Sequence, residues 1–415
     1  MIKFKWETEF KQTEIGELPQ EWKLDDIDSY LSEIIDYRGK TPKKSAFGII
    51  TLSAKSIKNG KIDYSKVYFI SEETFKKWER RGKPKVGDVL LTTEGPLGEV
   101  AQLDRENVAV SQRLLVLRGK KGLLDNTYLK YYLMSPIGQH ELLSRATGTT
   151  VEGIRQSEFR QIFVVLPSFS EQCRIAAVLS WFDDLIENKK RQNEILEKTA
   201  MAIFKSWFVD FEPFKDEEFV YSEELGKEIP KGWEVEELGE FAEIIMGQSP
   251  SSKYYNKEGE GLPFIQGKGQ YGRYTPETTV YCSRLLKIAK PNDILVTVRA
   301  PVGELNLADR EYIIGRGVAS LRSKYWIFLF LYLLIDNERL KSYERGTTYD
   351  AITREEIDTF PLLLPPQPIL EKFHSLVEPL FQKIILNQKQ IMVLRKIRDA
   401  LLPKLVFGKL RVMEI

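Results

Sequence analysis

Gly87-Asp88-Val89-Leu90-Leu91-Thr92, followed by Pro96-Leu97-Gly98-Glu99, returns later in the same chain as Asn292-Asp293-Ile294-Leu295-Val296-Thr297 and Pro301-Val302-Gly303-Glu304. Outward from this pair, further landmarks repeat in the same order. Leu18-Pro19-Gln20-Glu21-Trp22 recurs as Ile229-Pro230-Lys231-Gly232-Trp233, and Glu33-Ile34-Ile35 as Glu243-Ile244-Ile245. A G-x-x-P stands at Gly39 to Pro42 and again at Gly247 to Pro250. Gly148-Thr149-Thr150 with Ile154 matches Gly346-Thr347-Thr348 with Ile352, and Val165-Leu166-Pro167 matches Leu363-Leu364-Pro365. The offset drifts from 211 residues at Leu18 to 198 at Val165, so the first copy is slightly longer between landmarks. One order of landmarks at a nearly fixed period is the mark of a duplicated unit.

Each copy opens with short Val/Ile/Leu runs bounded by Gly, Pro, Asn and Asp. Val86 to Thr93 with Val108 to Leu117, and Ile294 to Val298 with Tyr312 to Leu321, read as strands joined by turns. Asn126 to Met134 and Trp326 to Leu334 read as short buried helices. The fold class expected for this part, called a reader below, is α+β.

After each Leu-Pro the period changes. Heptads counted from Ile175 place Ile175, Phe182, Lys189, Leu196 and Ile203 at position d, with Leu179, Ile186, Asn193, Ala200 and Trp207 at a. The second copy places Phe373, Leu380, Asn387, Leu394 and Leu401 at d, with Val377, Ile384, Ile391, Arg398 and Leu405 at a. The registers superpose at an offset of 198, with a polar residue at the same central d position. Such heptads predict two coiled-coil helices that pair through their apolar a and d residues, the other reading being that each helix packs on its own reader as a core element. At about 38 residues each helix spans roughly 57 Å. Two readers on such a rod would present recognition surfaces at a fixed separation, and DNA repeats its groove about every 34–36 Å.

The net charge of +1 hides a segregation of sign. From Arg38 to Lys85 there are 14 Lys/Arg against 4 Asp/Glu, whereas 11 acids crowd Asp216 to Glu243. The acidic stretch is expected to be a solvent-facing linker between the copies. The basic stretch of the first reader includes Arg38, Lys40, Lys43, Lys44, Lys55 and Lys58, interleaved with tyrosines, and Gln112-Arg113 lies further on. In the second reader Lys253, Lys268, Arg273, Arg299 and Arg316 accompany Tyr254, Tyr271, Gln248, Ser249 and Gln266. Lysine and arginine neutralise phosphates, and Arg, Gln and Ser can read base edges, so these residues are the candidate DNA contacts.

Catalytic chemistry is hard to find. Two cysteines far apart and two histidines, His140 and His374, give no disulfide framework, no thiolate metal site and no HExxH. No apolar run approaches a bilayer span and no signal segment opens the chain, so a cytoplasmic protein is expected. Gly267-Lys268-Gly269-Gln270-Tyr271-Gly272 spells G-x-G-x-x-G, but Arg273-Tyr274-Thr275-Pro276 follows it, where a dinucleotide loop needs a helix. There is no Walker A sequence, no G-x-S-x-G and no N/D-P-P-Y/F. Asp88, Glu99, Asp293 and Glu304 recur together with the Thr, Pro and Gly around them, which points to a shared structural turn rather than metal ligands. No catalytic residue, cofactor or metal is assigned.

Taken together, the residues resemble the specificity subunit of a Type I restriction-modification system over essentially the full length. The resemblance is carried by Pro19 to Trp22 and Pro230 to Trp233, by Gln112-Arg113 and Gly315-Arg316-Gly317-Val318-Ala319, and by the two Gly-Thr-Thr segments. Leu166-Pro167 with Glu171-Gln172-Cys173-Arg174-Ile175, then Ser206 to Pro213, resemble the family's helical regions, and Leu401 to Leu405 with Gly408 to Val412 close the chain in the same manner. The second copy departs at Ile369-Leu370-Glu371-Lys372, where Glu-Gln is expected, so partner contacts there are expected to differ. The resemblance implies two target-recognition domains reading a split, asymmetric site on double-stranded DNA. They would be separated by two long antiparallel coiled-coil helices in a pseudo-twofold internal repeat. It further implies partner adenine methyltransferase subunits, two of them, a separate motor-nuclease subunit, and no catalysis by this chain. The expected division is 1–166 first reader, 167–214 first spacer helix and linker, 215–364 second reader, and 365–415 second spacer helix and tail. Three other readings of the residues stay open: a stand-alone DNA-binding regulator, a nuclease or methyltransferase with an unrecognised site, and a protein-only scaffold.

Overall fold

A computed structural model describes residues 3–37, 41–148, 152–342 and 351–414. The chain forms two compact units, residues 1–185 with 394–415, and residues 186–393. Each unit holds one reader and parts of two 40-residue helices, Phe169–Phe208 and Gln367–Val406. Among the described residues no helix is long and apolar enough to cross a membrane.

In the first unit Val89–Thr93 lies at the centre of an antiparallel sheet, between Leu97–Gln102 and Leu114–Gly119, with Leu31–Asp36 on the outer edge. All five residues of the central strand are buried because both faces of the sheet are covered. Strand side chains alternate between faces. Val89, Leu91, Leu115 and Leu117 therefore join a core with Trp22, Tyr128 and Tyr132, while Leu90 and Val116 join a second core with Ile35 and Leu52. The second unit repeats the sheet in the same order, Glu243–Met246, Val318–Arg322, Ile294–Thr297 and Leu305–Leu307.

The repeated acids are structural, as their shared surroundings imply. Buried Asp88 accepts from the Lys85 backbone N–H and from Arg118 Nε and Nη2, both at 2.7 Å. Buried Asp293 accepts in the same way from the Lys290 N–H and from Arg322 Nε and Nη2, both at 2.9 Å. The hydroxyls of Thr92 and Thr297 accept the N–H of Glu99 and Glu304 at 2.8 and 2.9 Å. Backbone geometry dictates these residues, which is why both copies keep them.

Two expectations change. The runs Val108 to Leu117 and Tyr312 to Leu321 are not single strands. Ala109–Val110 and Tyr312–Ile314 leave the main sheet, pair in parallel with Ile49–Leu52 and Leu262–Ile265, and only then turn into Leu114–Gly119 and Val318–Arg322. In the second copy the turn needs glycine, because a Cβ on Gly317 would lie 2.2 Å from the Gln266 carbonyl oxygen. The first copy makes the turn with Ser111-Gln112-Arg113, so composition conceals it.

The acidic stretch Asp216 to Glu243 is no linker either. It forms the hairpin Phe219–Ser222/Lys227–Pro230 and the strand Glu234–Glu237, which pairs with Pro361–Leu364. Ile229, Trp233 and Leu238 point into the core and leave the carboxylates on the solvent side.

The helices do two jobs. Ile175 and Leu179, with Leu405 and Val406, are buried in the first reader's core, and half-buried Phe182 and Leu401 pack against it. Phe373, Val377 and Ile384 are buried in the core of the second reader, with Leu196, Ile203 and Leu380 packed on it. Ile186 and Ile391 are buried and Leu394 is half-buried. Within each unit the two helical segments run antiparallel. In the first unit Arg398 Nη1 donates to Asp183 at 2.6 Å, and in the second Asn387 Nδ2 donates to Asn193 Oδ1 at 2.8 Å. Burial raises the Asp183 carboxyl, but the Tyr131 hydroxyl, Arg398 and Lys130 more than offset it and hold it below the usual carboxylate range.

The two chain ends close the first unit. Leu410–Glu414 pairs antiparallel with Lys3–Trp6, which places Arg411 over the Trp22 ring and against Glu171, Glu7 and Glu21. The indole N–H of Trp22 donates to the same Glu171 at 3.3 Å. In the second copy Ile369 stands where the first has Glu171. The Trp233 indole nitrogen is buried without a partner among the described residues, and Phe208, Phe211 and Phe214 surround its ring.

Candidate nucleic-acid interface

The parallel strand pairs place the candidate contacts. In the first reader Ile49–Leu52 and Ala109–Val110 run side by side, and the turns leaving their carboxyl ends carry Ser53 and Lys55 on one strand and Ser111, Gln112 and Arg113 on the other. Crevices beyond the carboxyl ends of parallel strands are the usual ligand sites of open sheets. Here the crevice is a cleft of about 430 Å³ lined also by Thr41, Lys44, Lys66 and Tyr68. Lys44 stands over the Tyr68 ring at 5.0 Å, Lys66 lies 3.5 Å from Asp63, and Arg113 Nε lies 2.8 Å from Glu94. Lys44 and Lys55 have no carboxylate partner among the described residues, so two of the four cations that line the cleft are uncompensated there. Burial raises the pKa of the Tyr68 hydroxyl, which has no hydrogen-bond partner among the described residues.

The second reader builds the same mouth from different side chains. Gln266 and Lys268 follow Leu262–Ile265, and Arg316 follows Tyr312–Ile314. Gln248 and Ser249 follow the edge strand Glu243–Met246 and are tied in, because Gln248 N–H donates to the Ile314 carbonyl at 2.9 Å and Ser249 Oγ accepts from the Arg316 N–H at 3.1 Å. The G-x-G-x-x-G segment is a tight 3₁₀ turn at Lys268–Gln270, in which Gln270 Oε1 accepts from the N–H of Gln266 and Gly267. No helix follows it before the Tyr271–Pro276 bridge. Lys268 meets Glu304 at 2.8 Å. Arg299 is exposed at the turn before Ala300-Pro301, the position that Glu94 holds in the first reader. Lys253 lies over Tyr254 at 5.1 Å, beside Arg284.

Not every candidate is at a mouth. Arg38 and Lys40 lie outside the described residues, as do Thr149, Thr150 and the second Gly-Thr-Thr. Lys43 is exposed next to Lys44, while Lys58 stands on the hairpin Ile57–Lys58/Lys61–Ile62, pinned where Asn59 N–H donates to Glu99. Tyr271 packs inward with Ile265, Ala289 and Leu295, and burial raises its hydroxyl far above the usual value. Arg273 is engaged by the first long helix, with Glu194 at 2.7 Å and Glu197 at 3.4 Å, and Tyr274 donates to the same Glu197 at 2.8 Å. Ser53, Lys66 and Glu94 carry no mark of their own in the sequence; Ser53 and Lys66 line the cleft and Glu94 adjoins it through Arg113, whereas Tyr68 is one of the tyrosines interleaved with the basic stretch. Among the described residues no group of three or more His, Cys, Asp or Glu side chains is placed to hold a metal ion.

Known proteins share this organisation. A family model for the Type I restriction modification DNA specificity domain matches residues 24–198 and again 230–396. The Type I restriction enzyme MjaIX specificity subunit of Methanocaldococcus jannaschii is 38% identical, over 100% of this chain and 99% of that protein. The Type I restriction enzyme HindI specificity subunit of Haemophilus influenzae is 22% identical, with 79% of this chain and 87% of that protein covered. The crystal structure of a type I restriction-modification system S subunit from M. genitalium shares the fold, with a TM-score of 0.62 at 19% identity, over 95% of this chain and 96% of that one. The chain belongs to the family of type I restriction-modification specificity subunits: it is the sequence-specific DNA-recognition subunit and not a catalytic one.

Proposed function

We propose that the chain reads a split, asymmetric site on double-stranded DNA through the two mouths, one half-site each, and directs methyltransferase and restriction subunits to it. The observation that carries this reading is that one scaffold, with the same clasped Asp and the same parallel strand pair, recurs with different side chains at its mouth. Lys44, Lys55 and Lys66 in the first mouth, and Lys253, Lys268 and Arg299 around the second, neutralise phosphates and position the duplex. Gln112, Arg113, Gln248, Ser249, Gln266 and Arg316 are the side chains of a kind that discriminates base edges.

The division proposed is 1–166 and 215–364 for the readers, with 167–214 and 365–415 for the spacer helices, linker and tail. The helices form an antiparallel coiled-coil rod in a pseudo-twofold repeat. Their equal length of 40 residues, about 60 Å at 1.5 Å per residue, and the polar pair Asn193–Asn387 on the seam support this. A polar pair of that kind fixes register at some cost in stability. Trp181, Leu185 and Ile195 on the first helix, and Leu386, Val393 and Ile397 on the second, are exposed apolar side chains of the type that partner subunits cover. Two methyltransferase subunits and one kind of motor-nuclease subunit are the partners proposed.

Exchange of residues 30–150 for the corresponding reader of another specificity subunit tests this reading. The methylated sequence is expected to change in one half-site only, with the other half-site retained. A change in both halves would contradict a modular, one-mouth-one-half arrangement.

A further inference from the structure

The contrast between the two mouths separates scaffold from specificity. The Asp88–Arg118 and Asp293–Arg322 pairs are buried on the acid side and occur in both copies. The Glu94–Arg113 pair occurs in one copy only, because Arg299 and Gly317 stand at the corresponding positions of the second. Both side chains of this pair are about half exposed, 53% for Arg113 and 44% for Glu94. An ion pair so exposed contributes little to stability, so folding gives no reason for placing it there.

Its geometry does give a reason. Glu94 Oε1 forms an ion pair with Arg113 through Nε at 2.8 Å, and the guanidinium lies close to Gly95, where a Cβ would stand 3.3 Å from Nη1. With Nε engaged, the remaining donors are the two amino groups at the end of the fork. They are anchored to a turn whose first residue, Ser111, is buried and whose N–H donates to the Leu52 carbonyl across the parallel pair. A fork presented end-on matches the O6 and N7 acceptors of guanine in the major groove. The same cleft holds Lys44, Lys55 and Lys66 for the flanking phosphates.

We propose that Arg113 reads a guanine in the half-site of the first reader, and that Glu94 is the residue that positions its guanidinium. This rests on the DNA-reading function proposed above. The test is base-resolution mapping of adenine methylation in cells that express the methyltransferase subunits with the wild-type chain, R113A, R113K or E94A. The half-site of the first reader is the one that changes in the exchange of residues 30–150. That half-site is expected to contain a guanine in the wild type. R113A and R113K are expected to lower discrimination at that single position by on the order of 5- to 150-fold, the worth of one bidentate base contact. E94A relaxes the same position less, and the letters of the other half-site stay fixed in all three variants. If both Arg113 variants reduce the amount of methylation while every letter of the motif is kept, Arg113 is a phosphate contact and the proposal is overturned. A first half-site without guanine overturns it as well, while the bipartite reading survives. Absence of any bipartite motif with the wild-type chain overturns both.

Discussion

A chain truncated after Val406 is expected to lose the fold of its first unit while its second unit stays folded. The last strand, Leu410–Glu414, contributes buried Leu410 and Val412 to the core around Trp22. Each such side chain is worth about 1.5–3 kcal/mol on burial. Arg411 is the cationic partner of Glu171, whose side chain is only 4% exposed, and of Glu7 at 10%. Removing one member of a buried pair leaves an uncompensated charge and costs about 3–5 kcal/mol. Together these losses approach the whole stability of an ordinary domain, about 5–15 kcal/mol. The second unit's core contains no residue beyond Ile385, so it has no part in the loss. Calorimetry with limited proteolysis reads the result, namely disappearance of one transition and rapid cleavage within residues 1–166. Two transitions at their original temperatures would show that the closing strand is dispensable.

Phe373→Ala is expected to have the converse effect. Phe373 is the first seam residue of the second helix, fully buried, and its ring stands 4.8 Å from Phe208, 5.8 Å from Phe204 and 5.9 Å from Trp207. Those three rings come from the last turns of the first helix, so one side chain joins both helices to the second reader. Truncating a fully buried phenylalanine costs about 3–5 kcal/mol, counting the cavity it leaves. For a unit of this size that lowers the midpoint of its transition by about 6–20 °C. The transition of the first unit is expected to stay in place. A fall of less than about 2 °C in the second transition would mean that the aromatic cluster relaxes around the gap and does not hold the helices.

The duplication is legible in the sequence for a physical reason. Asp88 and Asp293 clasp an arginine and a turn, Thr92 and Thr297 accept the N–H of Glu99 and Glu304, and Gly98 and Gly303 take positive φ. Such residues answer to backbone geometry, and both copies share that geometry. The long helices are legible from their heptads. Their burial in the reader cores is legible only as the alternative to pairing, because Phe204 and Phe208 lie off the predicted seam and a periodicity does not say which body covers a second apolar face. The recognition surface is legible only as a composition. Leu52 and Val110 are far apart in sequence, and nothing local announces that they run in parallel side by side. The cleft therefore gathers Ser53 and Lys66, which pattern alone leaves unmarked, with Glu94 beside it through Arg113. Arg273 shows the opposite failure. It sits in a basic, aromatic stretch, but Glu194 and Glu197 on the helix, nearly eighty residues earlier, engage its guanidinium.

The most direct test is to map adenine methylation at base resolution on DNA from cells that co-express the wild-type chain with methyltransferase subunits of the same system. Methylation is expected at one bipartite motif, with two unlike half-sites and a spacer of constant length. With both proteins shown to be expressed, a contiguous motif, a variable spacer or no methylation would contradict the proposed function.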